Sequence, residues 1–213
     1  MIDKDTKLYG SFSANAGSFG CAFHNAGFAC LGINAIYKSF SITSIEAAVA
    51  AMKTLGIQGA GVSAPFKQEV LQYVDSTSMH VQAIGATNTL LNMNGKIHAD
   101  NTDWYAIWEY LNNVSASHIY ILGNGGYSKA AQYACSKMGK PFTVITRSNW
   151  SMIDELRNSV VFNATPVKNI TLDSSNLFID CHTDTQSGRK LASLQGSIQF
   201  QLYTGYDYPS ILL

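Results

Sequence analysis

His118-Ile-Tyr-Ile-Leu122-Gly123-Asn-Gly-Gly126-Tyr-Ser-Lys-Ala-Ala131 decides the fold of this chain. Four apolar residues in a row read as a short buried strand, and the alanine-rich run after Gly126 reads as a helix reaching about Met138. Between them lies a glycine turn, placed where a dinucleotide-binding loop lies. There glycine permits a tight turn and lets backbone amides approach a pyrophosphate, while the helix amino terminus adds partial positive charge. A second strand over Phe142 to Thr146 completes a βαβ unit. The acidic residue that usually meets an NAD ribose at the end of that strand is missing. Thr146-Arg147-Ser148 stands there instead, and the first carboxylate comes only at Asp154. A guanidinium beside hydroxyls suits a 2′-phosphate, so the cofactor expected is NADP. A solvated surface arginine is the plainer alternative. Val160 to Phe162 and Leu177 to Ile179 read as further strands, and Lys190 to Tyr203 as a helix.

Toward the amino terminus the pattern is also mixed α/β. Strands are expected at Leu8 to Phe12, Ala35 to Phe40 and Ile57 to Val62, with a helix from about Gly20 to Cys30 stopped by Gly32. Thr43-Ser-Ile-Glu46 has the form of a capping box opening an alanine-rich helix that ends at Gly56. Pro65 opens a helix through Lys67 to Tyr73. Asn94-Gly95 sits inside Asn88 to Asp100 as a type I′ hairpin turn, and Asp103 to Leu111 reads as a helix. The expected division is a substrate-binding catalytic domain over 1–103, a Rossmann-like NADP-binding domain over 104–189, and a last helix, 190–205, that packs back on the first.

Composition narrows the partners. The 213 residues carry 14 basic and 14 acidic side chains, a balance that disfavours nucleic acid and anionic membranes. No apolar run approaches the roughly 20 residues needed to span a bilayer. The start, Met1 to Gly10, is charged and lacks a signal-peptide core, so a cytoplasmic location is expected. Cys21, Cys30, Cys135 and Cys181 form no CxxC pair, and the five histidines show no HxxxH or HxH spacing. Neither disulfides nor a metal are expected. Without a signal peptide, the glycosylation-like Asn163-Ala-Thr carries no weight.

Three strand-end segments are unusually polar: Gly61-Val-Ser63-Ala-Pro-Phe-Lys67, Gly85-Ala-Thr-Asn88-Thr and Asn101-Thr102-Asp103. A lysine and an aspartate meeting in one cleft can pass a proton to or from a substrate oxygen, the carboxylate fixing the ammonium. On spacing alone a surface salt bridge is the better-supported alternative.

These segments resemble the shikimate dehydrogenase family. GAGVSAPFK is similar to its strand–loop–lysine motif, IGATNTL to its asparagine motif and ADNTDW to its aspartate motif. In the second half, ILGNGGYSKAA, ITRS and FNATP resemble the glycine loop, the basic NADP motif and the turn near the cofactor. The resemblance covers about residues 8 to 205. It implies Lys67 as general acid/base with Asp103 as its partner at a neighbouring hydroxyl. It further implies Ser18, Ser63, Asn88, Thr102 and Gln195 around the substrate, and Gly123, Gly125, Gly126, Arg147, Asn163 and Thr165 around NADP. The reaction implied is reversible hydride transfer between NADP(H) and a cyclic ketone or alcohol of the 3-dehydroshikimate/shikimate type, a step of aromatic amino acid biosynthesis. The partner is then a small polyhydroxylated ring compound, and the protein a monomer or homodimer.

Two departures stand out. The family's Ser-x-Ser ahead of a histidine is here Ser18-Phe-Gly20 before His24, and the asparagine expected two residues before Ser63 is Gly61. Losing two polar partners costs on the order of 1–3 kcal/mol each for a ligand that keeps its groups. The pattern resembles the shikimate dehydrogenase-like subgroup. The segment between Asp180 and Gln195 is short, and the tyrosine expected after Asp180 is absent. A catalytically weak or silent NADP- or metabolite-binding homologue is therefore the alternative.

Overall fold

The computed structural model describes residues 2–213, which divide into two compact units: 2–102 with 193–213, and 103–192. The first unit is built on a six-stranded sheet. In chain order its elements are β1 (Lys7–Ser13), α1 (Phe19–Cys30), β2 (Ala35–Ser41), α2 (Ile45–Thr54), β3 (Gly59–Val62), β4 (Ser76–Thr77), α3 (Met79–Ile84), β5 (Thr89–Met93) and β6 (Lys96–Asp100). The sheet order is β2-β1-β3-β5-β6-β4; β2, β1 and β3 run parallel, while β5 is antiparallel to both β3 and β6. Its faces carry different cores. Phe12, Ile45, Val49, Met52, Val62, Val70, Leu90 and Ile97 pack on one side. The other is aromatic, with Tyr9, Phe23, Phe28, Tyr37, Phe200, Tyr203 and Tyr208. Alternation along β1 sends Tyr9 and Phe12 to opposite faces, as a period of two requires.

The second unit holds α4 (Asp103–Asn112), β7 (Ile119–Leu122), α5 (Gly126–Lys137), β8 (Phe142–Ile145), β9 (Val160–Asn163) and β10 (Leu177–Asp180). Its four strands are all parallel in the order β10-β9-β7-β8, a sheet separate from the first. Helix α6 (Gln186–Thr204) crosses the division, so residues from Ser193 onward count with the first unit.

Several sequence expectations need correction. Helix α2 starts one residue later than expected: Ser44, not Thr43, is the cap, its Oγ accepting from the Ala47 amide at 3.2 Å. That register turns Ile45 fully into the core. The expected helix over residues 65–73 shrinks to a 3₁₀ turn, Glu69–Gln72, because the Lys67 carbonyl accepts from the Thr87 amide at 2.8 Å and is lost to any helix. Residues 147–155 form a 3₁₀ segment that no apolar period announced. Helix α3 went unread, although Ser78 caps it and Gly85 ends it at φ 70°. Helix α6 begins at Gln186 rather than Lys190. Asp103, expected at the end of the first domain, is the opening residue of α4, which packs on α5 in the second unit. At Asn94 and Gly95, φ values of 54° and 85° give the positive pair that a type I′ turn needs.

Candidate active site

In the first unit three of the proposed substrate residues form one cluster. Asn88, almost fully buried at the head of β5, accepts at Oδ1 from the Thr102 amide (2.7 Å) and the Thr89 hydroxyl (3.0 Å). Its Nδ2 donates to Thr102 Oγ1 (2.9 Å) and to Gln195 Oε1 (3.1 Å). The side chain thus uses all its hydrogen-bonding capacity to tie β5, the end of β6 and α6 together. Lys67 is half-buried on the loop whose carbonyl holds Thr87, the residue before Asn88. Ser18, at the start of α1, and Ser63, just past β3, are exposed, and neither hydroxyl bonds another described residue. Asp103 follows Thr102 in the chain but belongs to the second unit.

Sequence reasoning missed two residues here. Gln199 donates from Nε2 to the Asn88 carbonyl (3.1 Å) and Thr89 Oγ1 (2.9 Å), and its Oε1 accepts from His24 Nε2 at 3.2 Å. Since that oxygen only accepts, His24 carries its proton on Nε2, and its buried Nδ1 has no partner. Burial holds the imidazole pKa down at about 4, with the Gln199 bond opposing, so the ring is neutral at pH 7. The second is Tyr37. Its ring stacks on His24 at 4.4 Å, and the Asn25 side chain clamps its backbone at both N–H (2.8 Å) and C=O (2.9 Å). The phenol bonds Ser11 and the Gly61 backbone, and burial, the dominant cause, keeps it protonated far above its ordinary range. A Cβ at Gly20 would lie 3.1 Å from Tyr37 Cε1, and one at Gly61 would lie 3.1 Å from its hydroxyl. One aromatic ring thus borders both positions where glycine replaces an expected polar residue. The helical spacing that would have flagged Gln199 is present, four residues beyond Gln195; nothing local flags Tyr37.

In the second unit the glycine turn has the expected form. Gly123 has φ 97°, and a Cβ there would come within 2.8 Å of Thr165 Cγ2, so only glycine fits. Ser128 Oγ donates to the Gly123 carbonyl at 2.7 Å and fixes the turn. Gly125 is the N-cap of α5, with no side-chain cap and no acidic residue in the first turn, and nothing lies within 4 Å of where its Cβ would be. The first amides of α5 therefore remain available to an anion. Arg147 is exposed and makes no hydrogen bond or ion pair with a described residue. These features fit a phosphorylated dinucleotide.

Asn163 does not fit direct contact. It is fully buried; Oδ1 accepts from the Thr165 amide (3.0 Å) and hydroxyl (2.7 Å), and Nδ2 donates to Val167 O (2.9 Å) and Asp180 Oδ1 (3.2 Å). It shapes the turn that brings Thr165 against Gly123 and has no capacity left for a ligand. At the end of β10, Asp180, Cys181 and His182 each place a donor atom within 4.8 Å of the others, a metal-like grouping the sequence had not suggested. Asp180 Oδ1 and His182 Nδ1 are, however, bonded to each other at 2.6 Å.

Comparison with known proteins identifies the family. The family model described as the shikimate dehydrogenase substrate binding domain matches residues 16–90, all in the first unit. A shikimate dehydrogenase (NADP(+)) of Saccharolobus solfataricus is 33% identical over 188 residues, 84% of this chain and 68% of the relative. The chain belongs to the shikimate dehydrogenase family. A shikimate dehydrogenase-like protein of Haemophilus influenzae is 38% identical over 142 residues, 65% of this chain and 52% of the relative. The chain spans about half the length of the first curated relatives it matches. Structural correspondence runs further. Shikimate dehydrogenase from Aquifex aeolicus superposes with a TM-score of 0.82 at 26% identity, covering 98% of this chain and 96% of the other. A shikimate 5-dehydrogenase-like protein gives 0.81 at 27% identity over 100% and 96%. The α/β fold is thus the family's. Among the described residues no helix is long and apolar enough to cross a membrane.

Proposed function

We propose that this member of the family is an NADP-dependent oxidoreductase, interconverting a 3-dehydroshikimate- or shikimate-like cyclic ketone and alcohol. The observation that carries this is Lys67, whose backbone is tied through Thr87 to the buried Asn88–Thr102–Gln195 cluster. An amine on a segment anchored to buried hydroxyl and amide groups suits a polyhydroxylated ring. Lys67 gives a proton to the carbonyl oxygen as it is reduced and removes it in the reverse direction. Ser18, Ser63, Thr102 and Gln195 are assigned to the ring hydroxyls. Asp103 is assigned, through the family resemblance, to the hydroxyl next to the reacting carbon. Gly123, Gly125 and Gly126 with the α5 amides would hold the NADP pyrophosphate, Arg147 the 2′-phosphate, and Thr165 the turn beside it. When bound, NADPH would supply the hydride for reduction and NADP+ would accept it in the reverse direction. The protein works in the cytoplasm as a monomer or homodimer.

Tyr37 favours one qualification. Where the resemblance expects two polar side chains, a neutral phenol bonded to its own protein stands instead, so a substrate without a carboxylate is preferred over shikimate. A relative of the same fold at 21% identity and a TM-score of 0.79 is described as a 5-ketofructose reductase. The test mixes protein and NADPH with 3-dehydroshikimate and with uncarboxylated cyclic ketones and follows the loss of NADPH absorbance. Turnover of the uncarboxylated ketones above that of 3-dehydroshikimate is expected. Tight NADPH binding with no turnover of any ketone would instead support a silent binding protein.

A further inference from the structure

The order β10-β9-β7-β8 orients a dinucleotide laid across the strand ends. Ligands of such sheets bind at the carboxyl ends of the strands, with the pyrophosphate at the helix start after the glycine turn. Here that start lies at the end of β7. On one side, β8 runs into Arg147, which assigns the phosphorylated ribose to that side. The other half of the molecule must then extend over β9 and β10, and β10 ends in Asp180-Cys181-His182.

Asp180 and His182 form a fixed pair. Asp180 Oδ1 accepts from His182 Nδ1 at 2.6 Å, from the His182 amide at 3.2 Å, and from Asn163 Nδ2 at 3.2 Å. A carboxylate oxygen accepts here, so Nδ1 bears the proton of this bond, and the tautomer it selects has its lone pair on Nε2. No described residue bonds that nitrogen, and it is not sealed from solvent. The backbone is held too: the Thr185 amide (2.9 Å) and hydroxyl (2.7 Å) both donate to the His182 carbonyl. A Cβ at Gly188 would overlap that same carbonyl, so the turn is closed around glycine.

We propose that His182 is a cofactor-binding residue, its Nε2 accepting from the carboxamide N–H of the nicotinamide. Asp180 is the positioning residue that fixes its tautomer. This rests on the NADP assignment above. It gives the second unit a contact at the nicotinamide end, where the tyrosine implied by the resemblance is missing. A divalent metal is the competing occupant. It is disfavoured because Oδ1 and Nδ1 are already spent on each other.

The test measures binding rather than activity. NADPH is titrated by the fluorescence of its nicotinamide, and 2′,5′-ADP, which lacks that half, by calorimetry. His182→Ala is expected to weaken NADPH about 5- to 10-fold, as for one hydrogen bond, and to leave 2′,5′-ADP within about twofold. His182→Gln, which keeps an acceptor, should recover most of the loss. Arg147→Ala should weaken both ligands. Unchanged NADPH affinity in His182→Ala, or an equal loss for both ligands, overturns the assignment. Loss of wild-type NADPH binding on chelation would hand the site to a metal. A wild-type protein that binds neither ligand would remove the NADP assignment itself.

Discussion

Lys67 and Gly20 show what single residues decide. Lys67→Ala is expected to lower turnover by about 10²–10⁴-fold, the usual worth of a general acid/base. NADPH affinity, read by fluorescence titration, should stay unchanged, because the lysine is assigned to the substrate. A variant that kept wild-type turnover on a substrate of the parent would end the acid/base assignment. Gly20→Ser looks from sequence alone like a way to restore a lost serine and raise activity on shikimate. The structure reverses that expectation. The new Cβ meets Tyr37 at 3.1 Å, and Tyr37 is clamped at its backbone and stacked on His24. We expect a stability loss of about 1–3 kcal/mol by overpacking, read in urea denaturation, and no gain in shikimate oxidation. The candidate acid/base residues were legible in the chain. The ring that fills the space around Gly20 and Gly61 was not, because only folding brings β2 beside them.

At the scale of elements, the turn after β9 illustrates support without contact. Asn163 closes four bonds around Thr165, Val167 and Asp180, so Asn163→Ala orphans several buried groups at once. About 2–3 kcal/mol of stability should be lost, given the cost of unsatisfied polar groups. NADPH should also bind more weakly, because Thr165 no longer abuts Gly123. Denaturation and fluorescence titration check the two parts. Wild-type stability would show that water replaces the amide without cost. Strand–glycine–helix order was readable at β7 and α5 because each step has a local cause: an apolar run, a positive φ, an alanine-rich segment. The helix expected after Pro65 was not formed. Its propensity was overridden by a long-range bond from Thr87 to Lys67, which no local pattern encodes.

At the scale of the molecule, His24 links pH to the stability of the first unit. Its folded pKa of about 4 lies below the ordinary 6.5, so the unfolded chain binds the extra proton between those values. Stability is therefore full above about pH 6.5 and falls as pH drops toward 4, by about 3 kcal/mol for a shift of this size. Urea midpoints at pH 7 and pH 4.5 should differ less in His24→Gln than in the wild type; an equal drop in both would assign the loss to other groups. The sequence by itself determined most of the longer strands and helices, the glycine turn, the NADP-type strand end and the acid/base candidates, since each follows from side-chain chemistry within a few residues. Only the tertiary structure counted Asp103 with the second unit, saturated Asn163 and brought Gln199 to Asn88. Those outcomes depend on volumes and hydrogen bonds shared between residues as far apart as Asn88 and Gln199, and distances of that kind exist only once the chain has folded.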